Sequence, residues 1–286
     1  MAETSFTQWF DEPFGDEGTK FGVAIKQKLH SEITPFQSIE IYATQTFGNL
    51  MVLDGCFMVT TRDNFLYHEM MTHPALFTHP LPKKVVVVGG GDCGTLKEVL
   101  KHQQVESAVQ VEIDERVTQV AQEFFPELCS SNNDPRAQLC FTDAAQWIKN
   151  AADDSIDVLI IDSTDPIGPA EQLFGAEFLA QAFRALSPQG VIVQQSESPI
   201  LHTETIIRSL QNKLLAAGFK HPQQLLFPQP SYPSGWWSAT MAQKSLTPLQ
   251  PRWQAADNKN FTTYYYNTAI HQGALAVPEF MKSLRE

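Results

Sequence analysis

Five carboxylates stand where an α/β chain could bring them to a common edge. Asp92 lies in the run Gly89-Gly90-Gly91-Asp92-Cys93-Gly94, Glu112 ends the next apolar run, and Asp143, Asp162 and Asp165 each follow a later one. Carboxylates gathered at one site repel one another unless something cationic binds among them. Metal ions and amines both qualify. A metal site would add histidines or a compact Asp-x-Asp spacing, and neither accompanies these residues. The pattern therefore favours an amine ligand and no metal. The bland alternative is that Asp162 and Asp165 only form turns in Asp162-Ser163-Thr164-Asp165-Pro166, since aspartate before proline suits a loop.

The glycines narrow the ligand further. Gly89, Gly91 and Gly94 fit G-x-G-x-x-G directly after the run Val85 to Val88. NAD enzymes and adenosylmethionine enzymes share this pattern, in which the backbone passes close to a nucleotide. Glu112, roughly twenty residues on, can accept hydrogen bonds from ribose hydroxyls. Asp92 separates the two ligand classes. A dinucleotide would set its pyrophosphate over this loop, where a carboxylate at 4 Å repels it by roughly 4 kcal/mol at an effective dielectric near 20. A sulfonium nucleoside carries positive charge and no phosphate, so Asp92 would attract its cationic tail. Alternatively Asp92 only caps the following helix. A sulfonium has an electrophilic methylene, and a neutral amine can displace the thioether in one step. Alkylammonium groups titrate near 10.4, so the amine arrives protonated. A carboxylate must orient it and take its proton. In-line placement of the two reactants can supply roughly 7–11 kcal/mol.

The elements that must hold these groups fall into two regions. Up to about residue 75, alternation in Ile39-Glu40-Ile41-Tyr42 and Leu50-Met51-Val52-Leu53, with turns at Thr34-Pro35, Phe47-Gly48-Asn49 and Asp54-Gly55, predicts short antiparallel strands. Residues 65–76 have helical spacing, and Pro80 and Pro82 mark a boundary. Beyond it, strands at 85–88, 108–113, 139–141, 158–161 and 191–193 alternate with helices at 95–102, 116–125, 172–186 and 203–217. This predicts an α/β fold in two domains, 1–75 and 76–286, the second a parallel sheet with helices on both faces. Ligands of such sheets bind beyond the carboxyl ends of the strands, where the carboxylates fall.

Composition agrees with a folded enzyme. The chain has 286 residues, 43 % of them hydrophobic and 18 % charged, enough for one large and one small domain. Its formal charge of −12 argues against non-specific nucleic-acid binding. No apolar run approaches the ~18 residues of a membrane span. The acidic start lacks a secretory signal pattern, so a cytoplasmic location is expected. Cys56, Cys93, Cys129 and Cys140 lie far apart, unlike a disulfide framework or a zinc site.

These motifs together resemble the spermidine synthases. The shared segments are TPFQSIEIYATQTFG (34–48), LDG (53–55), RDNFLYHEMMTH (62–73), GGGDCG, VEID (111–114), DSTDPIGPAEQLF (162–174), PSYPSG (230–235) and YYNTAIH (265–271). They run in family order over nearly the whole chain. The resemblance implies a small N-terminal antiparallel β domain and a Rossmann-like, methyltransferase-type catalytic domain. It also implies decarboxylated S-adenosylmethionine as co-substrate, no cofactor or metal, and putrescine or a similar diamine as acceptor. The products would be spermidine and methylthioadenosine, and the assembly a homodimer or homotetramer. Carried over by position, Asp162 would be the base, Asp92 would hold the donor's aminopropyl nitrogen, and Glu112 would hold the ribose. Asp143 would read the adenine amino group, with Gly89, Gly91, Ala144, Gln37 and Pro169 around the nucleoside. Tyr67, His68, Asp165, Gln195 and Tyr232 would line the amine channel, and 163–174 would resemble the loop that closes over the substrates.

The chain departs from the family at several positions. Cys93 and Ala144 replace residues that are commonly small, and Met58, Thr61 and Asn64 replace polar or acidic ones. These changes leave the acceptor open to cadaverine or a longer amine. Three other readings compete: an amine N-methyltransferase using S-adenosylmethionine, a non-catalytic polyamine-binding protein, and an NAD-dependent oxidoreductase. His73, His102 and His271 are expected to be structural, and Trp236 and Trp237 to pack in the core.

Overall fold

Alternation builds the first sheet. The computed structural model describes residues 8–14, 18–164 and 168–285, with Gly168, Pro169 and Arg285 described by backbone alone. Strands β1 (Trp9–Phe14), β2 (Thr19–Ile33), β3 (Ser38–Thr44), β4 (Asn49–Leu53) and β5 (Cys56–Thr60) form an antiparallel sheet in that order. Ile39 pairs with Leu53 and Ile41 with Met51, all on one face, while Tyr42 and Leu50 pair on the other. Both faces are covered. Ile39, Ile41, Met51, Leu53 and Val59 pack with Val117, Val120 and Phe125, and Val23, Tyr42, Leu50, Val52 and Phe57 form a second cluster. The sequence reading had no β1, whose Pro13 is tolerated because the strand lies at the sheet edge.

The larger sheet follows from runs that are apolar at every position. Its strands are β6 (Lys84–Gly89), β7 (Ser107–Glu112), β8 (Ala137–Phe141), β9 (Ile156–Asp162), β10 (Leu186–Gln195), β11 (Lys220–Pro228) and β12 (Trp236–Gln243), in the order β11-β12-β10-β9-β6-β7-β8. Val85 and Val87 face one layer and Val86 and Val88 the other. Burying such side chains contributes roughly 1.5–3 kcal/mol each. The helices are α1 (Asn64–Thr78), α2 (Gly94–Leu100), α3 (Glu115–Phe124), α4 (Ala144–Asn150), α5 (Ala176–Ala185), α6 (Pro199–His202), α7 (Arg208–Ala217), α8 (Trp253–Asp257) and α9 (Thr268–Ala274). Met70, Met71 and Leu76 of α1 pack with Val85, Val87 and Ile160 on one face. Ile148, Phe178, Leu179, Leu210 and Leu214 cover the other. Thus α1, which the sequence groups with the N-terminal strands, packs on the larger sheet.

Neighbouring strands run parallel except at β12, which is antiparallel to both β10 and β11. The sequence pattern does not reveal the hairpin β11–β12: Pro222 and Pro228 flank a run of only three apolar residues, Leu225 to Phe227, and Ser238 and Thr240 break the pattern of β12. Trp237 is buried in the core cluster as expected, and Trp236 packs in a smaller satellite cluster. Strand order reverses between β6 and β9, the point at which such sheets open a crevice for ligands. No helix among the described residues is long and apolar enough to cross a membrane.

Candidate active site

A cavity of about 270 Å³ opens at that switch point. Its floor comes from the ends of β6, β7 and β9. Its opposite wall comes from the small sheet, which is held over the crevice through α3. The loop after β6 must come very close to β9. Gly89 has φ +77°, and a Cβ there would lie 2.2 Å from the Asp162 carbonyl. Gly94 faces a similar limit, because a Cβ would lie 2.1 Å from the His68 ring. These two glycines let the carboxylates and the helix α1 converge.

Asp162, Asp92 and Glu112 all line the cavity, as does Gly91. Asp162 ends β9 and accepts hydrogen bonds on both oxygens, from the Tyr67 hydroxyl at 2.8 Å and the Thr95 hydroxyl at 2.6 Å. Burial and repulsion from Asp92 push its proton affinity above the ordinary aspartate value, against the pull of His68, Thr95 and Tyr67. Asp92 accepts from the Gly94 N–H at 2.7 Å and meets His68 Nε2 at 3.2 Å. Asp92 is not the N-cap of α2, which is Cys93; one of its oxygens holds the first N–H of that helix and the other faces a histidine at the cavity. Burial alone would lower the His68 pKa; the charge of Asp92 and its hydrogen bond raise it instead. Burial of Tyr67 and the Asp162 charge beside it hold that phenol well above its usual range, so it stays a donor. Glu112 accepts from the Asp114 N–H at 2.9 Å, and burial raises its pKa to about 7.

The remaining expected residues divide. Gln37, Ala144, Gln195 and Tyr232 line the cavity. Gln37 Nε2 donates to Asp114 at 3.0 Å, which ties the small sheet to the end of β7. Tyr232 donates to the Met58 carbonyl at 2.5 Å and packs edge-on against Tyr67 and Trp237. Asp143 caps α4, accepting from Ala145 N–H at 2.7 Å, and is not among the lining residues. Asp165 and the side chain of Pro169 lie outside the described residues. Among the described residues, no group of three or more His, Cys, Asp or Glu side chains is arranged to hold a metal ion.

Several contacts in and beside the cavity are not legible in the sequence. Glu12 of β1 is buried, lines the cavity and accepts from the Phe57 N–H at 2.8 Å. No motif surrounds it, and only the register of β1 brings it there. Thr95 and Asp114 were also missed, although each sits within or beside a motif. Among the departures, Met58 lines the cavity. Asn64 instead donates to the Thr60 and Thr61 carbonyls, and the Thr61 hydroxyl accepts from Asn49 N–H. Ala144 begins α4 and is not among the positive-φ residues, so it carries no strain. Cys93 does adopt φ +67° and is fully buried.

Comparison with known proteins adds an independent line. Residues 64–251 match the spermine/spermidine synthase domain, and residues 8–61 match the spermidine synthase tetramerisation domain. A polyamine aminopropyltransferase of Thioalkalivibrio sulfidiphilus is 57 % identical over 96 % of each chain. Another, of Methylococcus capsulatus, is 57 % identical over 97 % of each. A crystal structure of a spermidine synthase in complex with the transition state analogue AdoDATO superposes with a TM-score of 0.91. It is 33 % identical and covers 97 % of this chain and 94 % of its own. The Thermotoga maritima spermidine synthase gives 0.89 at 32 % identity, with the same coverage.

Proposed function

Since this chain belongs to the spermine/spermidine synthase family and is a polyamine aminopropyltransferase, we propose that it joins decarboxylated S-adenosylmethionine to putrescine, giving spermidine and methylthioadenosine. The observation that carries this reading is the pair Asp92 and Asp162 on one cavity, with His68 the sole basic side chain among its described lining residues. That imbalance suits two cationic substrates. A phosphate-bearing dinucleotide would meet Asp92 directly, which disfavours the oxidoreductase reading. A methyl donor that keeps its carboxylate would meet the same repulsion.

In the proposed reaction Glu112 and Gln37 hold the nucleoside, with Ala144 beside the base. Asp92 pairs with the donor's ammonium and turns the aminopropyl chain toward Asp162. Asp162 takes a proton from the acceptor amine, whose lone pair then attacks the methylene next to sulfur. The carbon–sulfur bond breaks, and its electrons return to sulfur as a neutral thioether. Burial and Asp92 raise the proton affinity of Asp162, which makes it a better base. Tyr67, Tyr232 and Trp237 wall the amine path, and Glu12 offers the acceptor's far ammonium an anionic partner. Asp143, Asp165 and Pro169 keep the parts that the family pattern gives them. The domain match supports a homodimer or homotetramer. A cytoplasmic location belongs to the same reading.

Asp162→Asn tests the reading. Turnover should fall by roughly 10²–10⁴-fold while donor affinity changes little, and the wild-type product should be methylthioadenosine. Equal losses in turnover and donor affinity would reduce Asp162 to a binding group. S-adenosylhomocysteine formed from ordinary S-adenosylmethionine would point to methyl transfer. A panel of diamines that includes cadaverine ranks the acceptors.

A further inference from the structure

Two helices clamp the two carboxylates with consecutive residues. On α1, Tyr67 reaches Asp162 and its neighbour His68 reaches Asp92. On α2, the Gly94 N–H reaches Asp92 and its neighbour Thr95 reaches Asp162. Every carboxylate oxygen in the pair thus has one partner. Three of these four contributors belong to motifs already discussed, and Thr95 has no assigned part.

Thr95 is fully buried, and burial alone would favour an apolar residue. A helical threonine commonly turns its hydroxyl back to a carbonyl three or four residues earlier. Here the Gly91 carbonyl is taken by the Thr118 hydroxyl at 2.8 Å, and the Thr95 hydroxyl points across to Asp162 Oδ2 instead. An ionised carboxylate only accepts, so Thr95 donates. Tyr67 donates to the other oxygen. Each donor occupies one lone-pair position on its oxygen and leaves another open.

The two carboxylates are consequently supported in different ways. Asp92 has a histidine beside it that can lend positive charge. Asp162 has two neutral hydroxyls, which fix its plane and leave its charge uncompensated. Resting on the reading of Asp162 as proton acceptor, we propose that Thr95 is a positioning residue for aminopropyl transfer, whose hydroxyl holds the Asp162 carboxylate with an open lone pair toward the incoming amine. Tyr67 alone would leave that carboxylate free to turn about its hydrogen-bonded oxygen.

Among the described residues, the titratable groups facing Asp162 are Tyr67 and His68 from α1, Asp92 from the glycine loop and Glu112 from the end of β7. Removing the Thr95 donor weakens the carboxylate form against the repulsion of Asp92. Asp162 must be ionised to accept a proton, so kcat/KM should rise with pH, and in the variant that rise should move to higher pH.

The test measures Thr95→Val, Thr95→Ser and Asp162→Asn side by side, with kcat, donor and acceptor KM, and pH profiles. Thr95→Val should lower kcat roughly 10- to 100-fold, change donor KM by less than about twofold, and shift the acid limb upward. Thr95→Ser should recover kcat to within about threefold of wild type and restore the limb. Serine as impaired as valine would overturn the proposal by assigning the effect to packing. So would a valine variant with wild-type kcat and pH profile. Should the valine variant not fold, Thr95→Ala carries the same expectations. Retained turnover in Asp162→Asn would instead remove the base reading itself, whatever Thr95 does.

Discussion

The helix pair α1–α2 carries a buried polar cluster at each end, and the two clusters are neutralised in opposite ways. At the cavity end, Asp92, Asp162 and Glu112 face open space, with His68 the one basic side chain beside them among the described residues. At the far end, Glu98 meets Lys101 at 2.6 Å and His73 at 3.1 Å, and His73 meets His102 at 3.0 Å. Phe77, Phe261 and Tyr266 close around those rings. Burial and the neighbouring His73, Arg252 and Lys101 charges keep the His102 pKa well below its usual value. The difference separates structure from function. At the far end the chain itself supplies the cations beside the buried carboxylate; at the cavity end, in the proposed reaction, the substrates supply them.

The two ends consequently respond to pH with opposite sign. Burial opposes the ionisation of Glu98, but His73 and Lys101 outweigh it and hold its pKa at about 2, below the ordinary 4.5. Its contribution is complete above pH 4.5 and is lost as pH falls toward 2. Glu112 has its pKa raised to about 7, so its contribution is complete below pH 4.5 and is lost as pH rises through 7.

The sharpest way to break this comparison is Asp92→Asn. Losing the anion that meets the donor's ammonium should reduce kcat/KM for the donor by roughly 100-fold, as expected for a charge-assisted contact in a water-poor site. Removing a like charge beside Asp162 should leave the thermal midpoint of the empty enzyme unchanged or higher. A loss of stability equal to that of a core substitution would mean that the cavity carboxylates are structural after all.

Glu98→Gln asks the opposite question. Removing one partner from a buried ion-pair network costs about 3 kcal/mol, seen as a thermal midpoint lower by roughly 6–12 °C. Turnover per folded molecule should stay within about twofold of wild type. The loss of stability between pH 4.5 and 2 should also shrink, which denaturant titrations across that range would detect. A strong fall in kcat with little change in midpoint would join the far cluster to the chemistry.

Much of this arrangement could be read from the chain, and the missing parts share a cause. The run Val85 to Val88, the glycines behind it and Asp162 at the end of Val158 to Ile161 are local patterns, and local patterns report strand ends faithfully. Glu12 and Thr95 have no such pattern. Glu12 reaches the cavity through the antiparallel pairing of β1 with β2. Thr95 reaches Asp162 because β6 and β9 are adjacent across a crossover. Both contacts depend on pairing between distant segments, which spacing within one segment does not encode. The same limit explains the buried histidines. His73 is recognisable as a helical residue, but its bond to Glu98 appears only when α1 and α2 pack together.

The smallest expected effect concerns Cys93 and Ala144, where the resemblance leads one to expect a smaller residue, and it tests how far backbone strain separates loop from helix. Ala144 opens α4 with ordinary helical geometry, so Ala144→Gly gains no relief and should cost roughly 0.5–1 kcal/mol in helix propensity. Cys93 holds a left-handed backbone, φ +67°, which disfavours a side chain by about 1 kcal/mol. Its sulfur also accepts from Asn132 Nδ2 at 3.3 Å and Gln110 Nε2 at 3.5 Å, contacts that glycine would forfeit. Relief and loss are of similar size, so Cys93→Gly should change unfolding free energy by no more than about 0.5 kcal/mol, with donor KM within about twofold of wild type. Denaturant unfolding of both variants decides the matter. If Cys93→Gly destabilised the protein as much as Ala144→Gly or more, the thiol contacts would outweigh the strain, and the crest of the donor loop would be held by its cysteine in spite of its backbone.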